Sequence, residues 1–410
     1  TSEIGKTGIE RSYETLLRGT PGERVSEIDA HGSITSMVGD RPAIDGQDIR
    51  LTIDVELQRA SEILLREQMQ IAKTGRGSVI VMDPQDGSIL SLVSLPAFDN
   101  NIFSGGASST LYQALLENRD QPLFPRAWAG TYPSGSTIKI VISAAALAEK
   151  LINAHTSFVS VGGIRVGSSF FPDWKEEGHG VTDVRHAIAW SVNTFFYTVG
   201  GGYESFVGLG VDRLQDWMRR FGLGSKTGID VPGEGPGFVP SKQWKQEAKQ
   251  ERWFVGDTYN LSIGQGDLLV TPIQVAGYTA TIANGGTKVT PHFVGKLGTD
   301  KPTFPVTSIS DLNSNSVHTV RLGMRDCVQF GSCRGLSVPF TAGGKTGTAQ
   351  WNANKRTHAW FTSFAPWDKP EVVVTVLVEE GGEGSAVAVP VARQVLQKWW
   401  QIRNQRGGKF

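Results

Sequence analysis

Two short motifs in this sequence carry residue types suited to acyl transfer. Ser136 and Lys139 form the only Ser-x-x-Lys, and a spacing of three places both side chains on one side of a helical turn. Lys139 lies among apolar residues, so burial should disfavour its charged form and leave an amine that can accept a proton. Ser191 and Asn193 form the only Ser-x-Asn, a pair that could relay a proton and orient a carbonyl group. Taken singly, each motif could also be a helix cap or a polar interruption of a helix.

The residues after Ser136 indicate how a developing negative charge would be stabilised. TIKIVISAAALAEK is apolar on nearly every face, which predicts a buried helix with Ser136 at its N-terminus. Free backbone N–H groups and the helix dipole stabilise an anion at such an end. We therefore expect Ser136 to be a nucleophile held at a helix N-terminus.

The tripeptide Lys-Thr-Gly occurs four times, and its context separates the copies. The copies at Lys6 and Lys226 are each followed by Ile and an acid, which predicts turns leading into short extended segments. Lys73 begins a connector between a helix and a strand. Lys345-Thr346-Gly347, in FTAGGKTGTAQW, precedes two strong strands, and its glycine would let a ligand lie along the strand backbone. Only this fourth copy is expected to do chemistry.

Composition limits the class of protein. With 410 residues the chain exceeds the usual size of one hydrophobic core, which predicts two units, one much larger. Its 40 basic residues balance 40 acidic residues, which gives no sign of a nucleic-acid partner. No apolar run approaches the roughly 20 residues needed to span a bilayer. The chain begins at Thr1 rather than Met, so we expect a trimmed N-terminus from which an anchor has been lost.

Apolar periodicity predicts the elements that must position the motifs. LTIDVELQRASEILLREQMQ predicts a helix over residues 54–71 capped by Asp54. GSVIVMD and SILSLVSLP predict two antiparallel strands, and THAWFTSFAP and EVVVTVLVEE predict two more near the other end. VPVARQVLQKWWQIR predicts a closing amphipathic helix. Strands at both ends around a helical middle indicate an α+β fold, with one antiparallel sheet of distant segments flanked by helices.

Two features leave alternatives open. Cys327 and Cys333 could bridge in an oxidising compartment or stay as two thiols in the cytosol, because spacing does not fix their geometry. Asp173 and His179 could ligate a metal, but a site needs three or four ligands and only His186 lies nearby in the sequence. A polar surface loop is therefore favoured, and we expect neither a metal nor another cofactor.

Taken in order, Ser-x-x-Lys, Ser-x-Asn and Lys-Thr-Gly match the signature of penicillin-binding proteins and serine β-lactamases. Longer strings make the resemblance more specific. After about residue 50 the chain resembles the class B penicillin-binding proteins in RAWAGTYPSGSTIK, DWKEEGHG, SVNTFFY, GDTYNLSIGQGDLLVTPIQVA, AGGKTGTAQ and HAWFTSFAP. DWKEEGHG and the Gly-Asp-Thr before SIGQG favour the elongation branch of that family over the septal branch. GIERSYETLLRGTPG resembles part of their N-terminal pedestal. The resemblance implies a partial pedestal over residues 1–50 and a penicillin-binding, serine β-lactamase-like transpeptidase domain over residues 51–405.

The resemblance also implies a peptidoglycan D,D-transpeptidase and β-lactam target in cell-wall elongation. Ser136 would be the nucleophile, Lys139 its base and Ser191 the proton relay, with backbone N–H groups of Ser136 and Thr348 as the oxyanion hole. Asn193 would bind the donor amide. The terminal carboxylate of a D-Ala-D-Ala stem peptide would be bound by the strand residues Lys345, Thr346, Gly347 and Thr348.

Partners and rival functions follow from the same resemblance. Stem peptides and β-lactams are the implied ligands. A membrane-embedded glycosyltransferase and other elongation-complex proteins are the implied partners, at the extracytoplasmic face of the cell membrane. A serine β-lactamase, a D,D-carboxypeptidase and a β-lactam sensor or scaffold without turnover stay open, although no segment resembles the Glu-bearing loop of class A β-lactamases. A Ser-His-Asp hydrolase is disfavoured because no Gly-x-Ser-x-Gly is present.

Overall fold

The structure, a computed structural model, describes residues 4–103 and 109–408. Within these ranges the strands are β1 (Glu23–Ile28), β2 (Ile34–Arg41), β3 (Ile49–Leu51), β4 (Gly77–Met82), β5 (Ile89–Leu95), β6 (Ser157–Ser160), β7 (Gly163–Val166), β8 (Ser169–Pro172), β9 (Gly180–Asp183), β10 (Thr287–Val289), β11 (Val294–Leu297), β12 (Val306–Ser308), β13 (Gly343–Ala349), β14 (His358–Ala365) and β15 (Val372–Val378). The α-helices are α1 (Gly8–Ser12), α2 (Glu14–Leu17), α3 (Val55–Ala72), α4 (Ser109–Glu117), α5 (Lys139–Ala148), α6 (Val184–Trp190), α7 (Asn193–Gly201), α8 (Gly210–Arg220), α9 (Lys242–Lys249), α10 (Val255–Ser262), α11 (Pro272–Ala283), α12 (Ser314–Gln329) and α13 (Gly384–Gln405). Short 3-10 helices span Asn100–Phe103, Gly135–Ile138 and Arg334–Leu336.

A five-stranded antiparallel sheet lies at the centre of the larger unit. Its strand order is β13-β14-β15-β4-β5. The pairing of β15 with β4 sets Val376 opposite Val79, so segments from both ends of the sequence meet in one sheet. Helices cover both faces, which explains why the central strands β15 and β4 are apolar almost throughout. The predicted α+β fold with one sheet of distant segments is confirmed.

The two helical layers differ in what they position. α3 and α13 pack together on one face of the sheet, over the side chains of Val79 and Val374. α11 lies against the other face, where Ile80 and Leu377 belong to the core that it shares with α5. Residues 139–147 of α5 are all buried, so the helix after the first motif is fixed in the middle of the molecule.

Most of the helices and strands predicted from the sequence are present in the structure. The helix predicted over residues 54–71 spans Val55–Ala72, and Asp54 Oδ1 caps it by accepting a hydrogen bond from Leu57 N at 2.8 Å. Both predicted strand pairs are confirmed as β4–β5 and β14–β15. The closing helix begins earlier than its predicted segment, because the backbone stays helical through Pro390, which removes one N–H donor without ending the helix.

The N-terminal segment buries little of its own surface. α1, α2 and the β1–β2 hairpin contain no fully buried residue. β3 joins this segment to the larger unit by pairing with β11, with Ile49 opposite Leu297. The extended segment predicted after Lys6 is wrong, because Thr7 is instead the N-cap of α1. Over the described ranges, no helix has both the length and the apolar character needed to cross a bilayer.

Candidate active site

The segments that carry the predicted motifs meet beside the edge of the central sheet. β13, which holds the fourth Lys-Thr-Gly, is paired in the sheet on one side only, with β14. The 3-10 helix Gly135–Ile138 packs against it so tightly that a Cβ on Gly347 would lie 3.0 Å from Thr137 Cγ2. The turn between α6 and α7 carries Ser191 and Asn193. The other three Lys-Thr-Gly copies lie outside this cluster.

Lys139 joins the first two motifs. Its side chain is completely buried, and its Nζ lies 2.6 Å from Asn193 Oδ1, 2.8 Å from Ser191 O and 3.3 Å from Ser191 Oγ. Burial lowers the pKa of Lys139 from 10.5 to about 7, against a smaller raising effect of Asp173. A neutral amine keeps two N–H donors and gains a lone pair, so it can hold this turn and still accept a proton.

Ser136 lies one turn before the α-helix rather than at its first residue. It is half-buried and belongs to the 3-10 helix, and α5 begins three residues later at Lys139. Ser136 therefore lies in the first turn of the helical segment, as predicted, but that turn is a 3-10 turn rather than an α-helical one. The tighter turn is fixed by Gly135, which has a φ of 51° and donates from its N–H to Gly264 O at 2.9 Å. Among the described residues, Lys139 Nζ has the hydrogen-bond partners given above, and Ser136 Oγ is not one of them.

Asp173 holds the turn of the second motif from 20 positions away in the sequence. It is buried and accepts hydrogen bonds from Asn193 N at 3.1 Å, Thr194 N at 2.9 Å and Thr194 Oγ1 at 2.9 Å. These bonds satisfy free N–H groups at the start of α7, where a negative charge is also favoured by the dipole. Ser191 ends α6 in a left-handed conformation with a φ of 59°. Asp173 was considered from the sequence only as a metal ligand, and no local pattern reveals a cap supplied from such a distance.

His179, the second residue of that metal hypothesis, makes no hydrogen bond from its ring. Both ring nitrogens are buried without a partner in the described part of the chain, and burial is the main cause of its lowered pKa. Across residues 4–103 and 109–408, no group of three or more His, Cys, Asp or Glu side chains is arranged to hold a metal ion.

Lys345 is buried on β13. Its Nζ donates to Thr346 O at 2.9 Å, and its side chain is completely buried. Burial, together with the positive charge of Lys139, holds the pKa of Lys345 well below its usual value. The charged form of Lys345 therefore needs an anion beside it.

The two threonine hydroxyls of β13 have different partners. Thr346 Oγ1 lies 2.7 Å from Ser332 Oγ, whereas Thr348 Oγ1 donates to Glu383 Oε2 at 3.0 Å. Ser332 belongs to a loop closed by a disulfide between Cys327 and Cys333. Of the two states that the sequence left open for these cysteines, a bridge or two thiols, the structure has the bridge. Neither partner of the two threonines was identified from the sequence.

The loop that follows α10 packs against the turn that carries Ser136. Gly264 has a φ of 74°, and a Cβ there would lie 2.1 Å from Gly135 O. The Gln265 amide, oriented so that donor meets acceptor, pairs with Gln350 O at 3.0 Å and Gln350 N at 3.3 Å. Nothing in the sequence indicated this contact. The Gln265 side chain pairs with the main chain of Gln350, the residue that follows β13.

Two family models and several known proteins match this chain. The family model described as "Penicillin binding protein transpeptidase domain" matches residues 77–397, and "Penicillin-binding Protein dimerisation domain" matches residues 1–51. The peptidoglycan D,D-transpeptidase MrdA of Haemophilus influenzae is 38% identical over 100% of this chain, which spans 65% of that relative's length.

Two solved structures share the fold. Pseudomonas aeruginosa PBP2 in complex with WCK 5153 has a TM-score of 0.84 and 34% identity, over 97% of this chain and 82% of that one. The penicillin-binding protein PBP2 of Helicobacter pylori, in complex with MreC, has a TM-score of 0.85 and 32% identity, over 97% of this chain and 72% of that one.

Proposed function

Because the chain belongs to the penicillin-binding protein transpeptidase family, we propose that it is a peptidoglycan D,D-transpeptidase that crosslinks stem peptides in cell-wall elongation. The observation that carries the proposal is the buried Lys139, whose pKa of about 7 and whose bonds to Ser191 and Asn193 suit a general base. β-Lactams would be inhibitors that acylate the same serine.

In the first step, neutral Lys139 takes the hydroxyl proton of Ser136 as its Oγ attacks the carbonyl carbon of the penultimate D-alanine. The backbone N–H groups of Ser136 and Thr348 stabilise the oxyanion of the tetrahedral intermediate. Ser191, within hydrogen-bond distance of Lys139, passes the proton to the nitrogen of the leaving D-alanine. The peptide C–N bond breaks and a Ser136 ester remains.

Substrate binding uses the rest of the cluster. Asn193 orients the donor amide, and the D-alanine carboxylate lies against the free edge of β13. Its negative charge raises the pKa of Lys345 again, so the ammonium forms together with its counter-ion. In the second step an amine of another stem peptide attacks the ester, releases Ser136 and forms the crosslink. The strand residues that bind the carboxylate are Lys345, Thr346, Gly347 and Thr348.

The wider setting is also a proposal, supported by the family and by the strings quoted above. Residues 1–50 are a partial pedestal and residues 51–405 the transpeptidase domain. The enzyme acts at the extracytoplasmic face of the cell membrane, anchored by an N-terminal helix outside this chain. A membrane-embedded glycosyltransferase and other elongation-complex proteins are its partners.

Intact mass and peptide mapping after exposure to a fluorescent penicillin test the proposal. Wild type and Ser134→Ala should carry a stable adduct on Ser136, and Ser136→Ala should carry none. Crosslinking of lipid-linked peptidoglycan then separates a transpeptidase from a β-lactam sensor, and release of D-alanine without crosslinks indicates a carboxypeptidase. Rapid drug hydrolysis without an adduct indicates a β-lactamase, and neither adduct nor hydrolysis refutes the catalytic assignment.

A further inference from the structure

The Thr348 hydroxyl already donates a hydrogen bond to an acidic side chain of this protein. Thr348 Oγ1 donates to Glu383 Oε2 at 3.0 Å, and the same oxygen accepts a weak hydrogen bond from Gly384 N at 3.4 Å. A hydroxyl has one proton to donate. To donate to the carboxylate of a ligand, Thr348 must first release Glu383.

The main chain keeps Glu383 beside β13. Glu383 is the N-cap of α13, a helix of 22 residues, and it is followed by Gly384. A Cβ on Gly384 would lie 2.4 Å from both Gly347 O and Trp360 O, so the start of the helix is pressed against the strand. The bond breaks when the Glu383 side chain or the Thr348 hydroxyl rotates, and the backbone keeps the carboxylate close to the strand in either case.

The charge of Glu383 has no counter-ion in the described part of the chain. Its carboxylate is exposed, and Thr348 is its side-chain partner. The nearby Arg356 guanidinium donates instead to Ala72 O at 2.7 Å and to Gly381 O at 2.8 Å. A ligand carboxylate at Thr348 would therefore meet a second negative charge that is not held in an ion pair.

From this geometry we propose that Glu383 is a specificity-determining residue at the carboxylate end of the site. It occupies the hydroxyl that a ligand carboxylate needs and repels that carboxylate, so it slows acylation by anionic ligands and leaves neutral ones unaffected. The bond to Thr348 forms again once the leaving D-alanine departs, and this disfavours its return. The inference rests on the proposed function, because it assumes that Ser136 is acylated and that ligands place a carboxylate at Thr348.

The test compares a penicillin with its neutral methyl ester. Second-order rate constants for acylation of Ser136 are measured in wild type, Glu383→Gln and Glu383→Ala. Glu56→Gln, which removes an exposed acid from the first turn of α3, is the control. Both Glu383 variants should react about 1.5- to 5-fold faster with the acid, the range expected for one exposed charge pair. Their rates with the ester should equal that of wild type.

The outcomes separate this inference from the function on which it rests. Equal acceleration with acid and ester would show a general effect on the fold or the nucleophile and overturn the role of charge. Unchanged rates with the acid, in variants whose thermal unfolding matches wild type, would overturn it as well. If Ser136 of wild type reacts with neither ligand, the proposed function itself fails and the inference fails with it.

Discussion

Replacing Lys139 by Met should abolish acylation of Ser136, and its effect on the stability of the folded protein should depend on pH. Folding moves this side chain from water, where its pKa is 10.5, to a buried position where its pKa is about 7. At about 1.4 kcal/mol per unit, keeping the lysine in that position costs about 5 kcal/mol near pH 7. Methionine is of similar length and carries no charge, so the variant does not bear this cost.

The loss of the hydrogen bonds that Lys139 donates offsets this gain in stability, and that loss does not depend on pH in the same way. Without Lys139, Asn193 Oδ1 and Ser191 O lose a donor, at about 1–3 kcal/mol for each buried acceptor. The two acceptors together offset about 2–6 kcal/mol, so the net change at pH 7 lies between a loss of about 1 kcal/mol and a gain of about 3 kcal/mol. The lost hydrogen bonds do not titrate, whereas the cost of the buried lysine does.

The direction in which the free energy of unfolding changes with pH follows from the number of protons bound by the folded and the unfolded chain. Between pH 7 and 10.5 the unfolded chain keeps the Lys139 proton and the folded protein does not. The wild type therefore gains stability as pH rises through this window, and the free energy of unfolding of Lys139→Met relative to wild type falls by about 2 kcal/mol from pH 7 to pH 9.

Urea denaturation at pH 7, 8 and 9 measures this difference. The free energy of unfolding is compared between wild type, Lys139→Met and Lys369→Met, whose lysine is exposed. Lys369→Met should differ from wild type by the same small amount at every pH. A pH-independent gap between wild type and Lys139→Met would refute a buried lysine with a depressed pKa, and with it the general base.

Acylation by a fluorescent penicillin should speed up as pH rises and level off above about pH 7, because only neutral Lys139 accepts a proton; a flat stopped-flow profile contradicts this. Glu379→Gln should lower the free energy of unfolding in urea by about 3–5 kcal/mol, because Arg126, whose Nε lies 2.9 Å from the carboxylate, is left buried without its counter-charge. A loss below about 1 kcal/mol would show that the pair is dispensable. Reduction of the Cys327–Cys333 bridge should cost about 2 kcal/mol, as expected for a short loop, and equal unfolding curves with and without reductant would contradict that.

The sequence predicted the elements whose signals are local. The Asp54 cap and the apolar spacing of α3 fall within one segment, so its limits agree with the structure to one residue. The strand pairs β4–β5 and β14–β15 are each joined by a short turn, and they were also predicted. The 3-10 geometry of the turn that carries Ser136 was not predicted, because it depends on Gly264, a residue that lies far away in the sequence.

The site was predictable only as a set of reacting groups. Serine, lysine and asparagine at fixed spacings identify the chemistry, and the structure brings Lys139 together with Ser191 and Asn193. The residues that hold these groups were missed because they come from elsewhere in the chain: Asp173 caps α7 from a preceding loop, and Glu383 reaches Thr348 from the last helix. Such contacts have no periodicity or spacing that a single sequence displays.

The pairing of β15 with β4 determines when this protein can fold. Val376 and Val79 are opposite each other, although nearly 300 residues lie between them, so closing the sheet carries the loop-closure entropy of a very long segment. The core on both faces of the sheet is incomplete until the last strands and α13 are present. A chain shortened at its C-terminus would therefore lose the support of α5 and of the nucleophile, although Ser136 lies in the first third of the sequence. During synthesis the reactive site must form last, after nearly the whole chain is available.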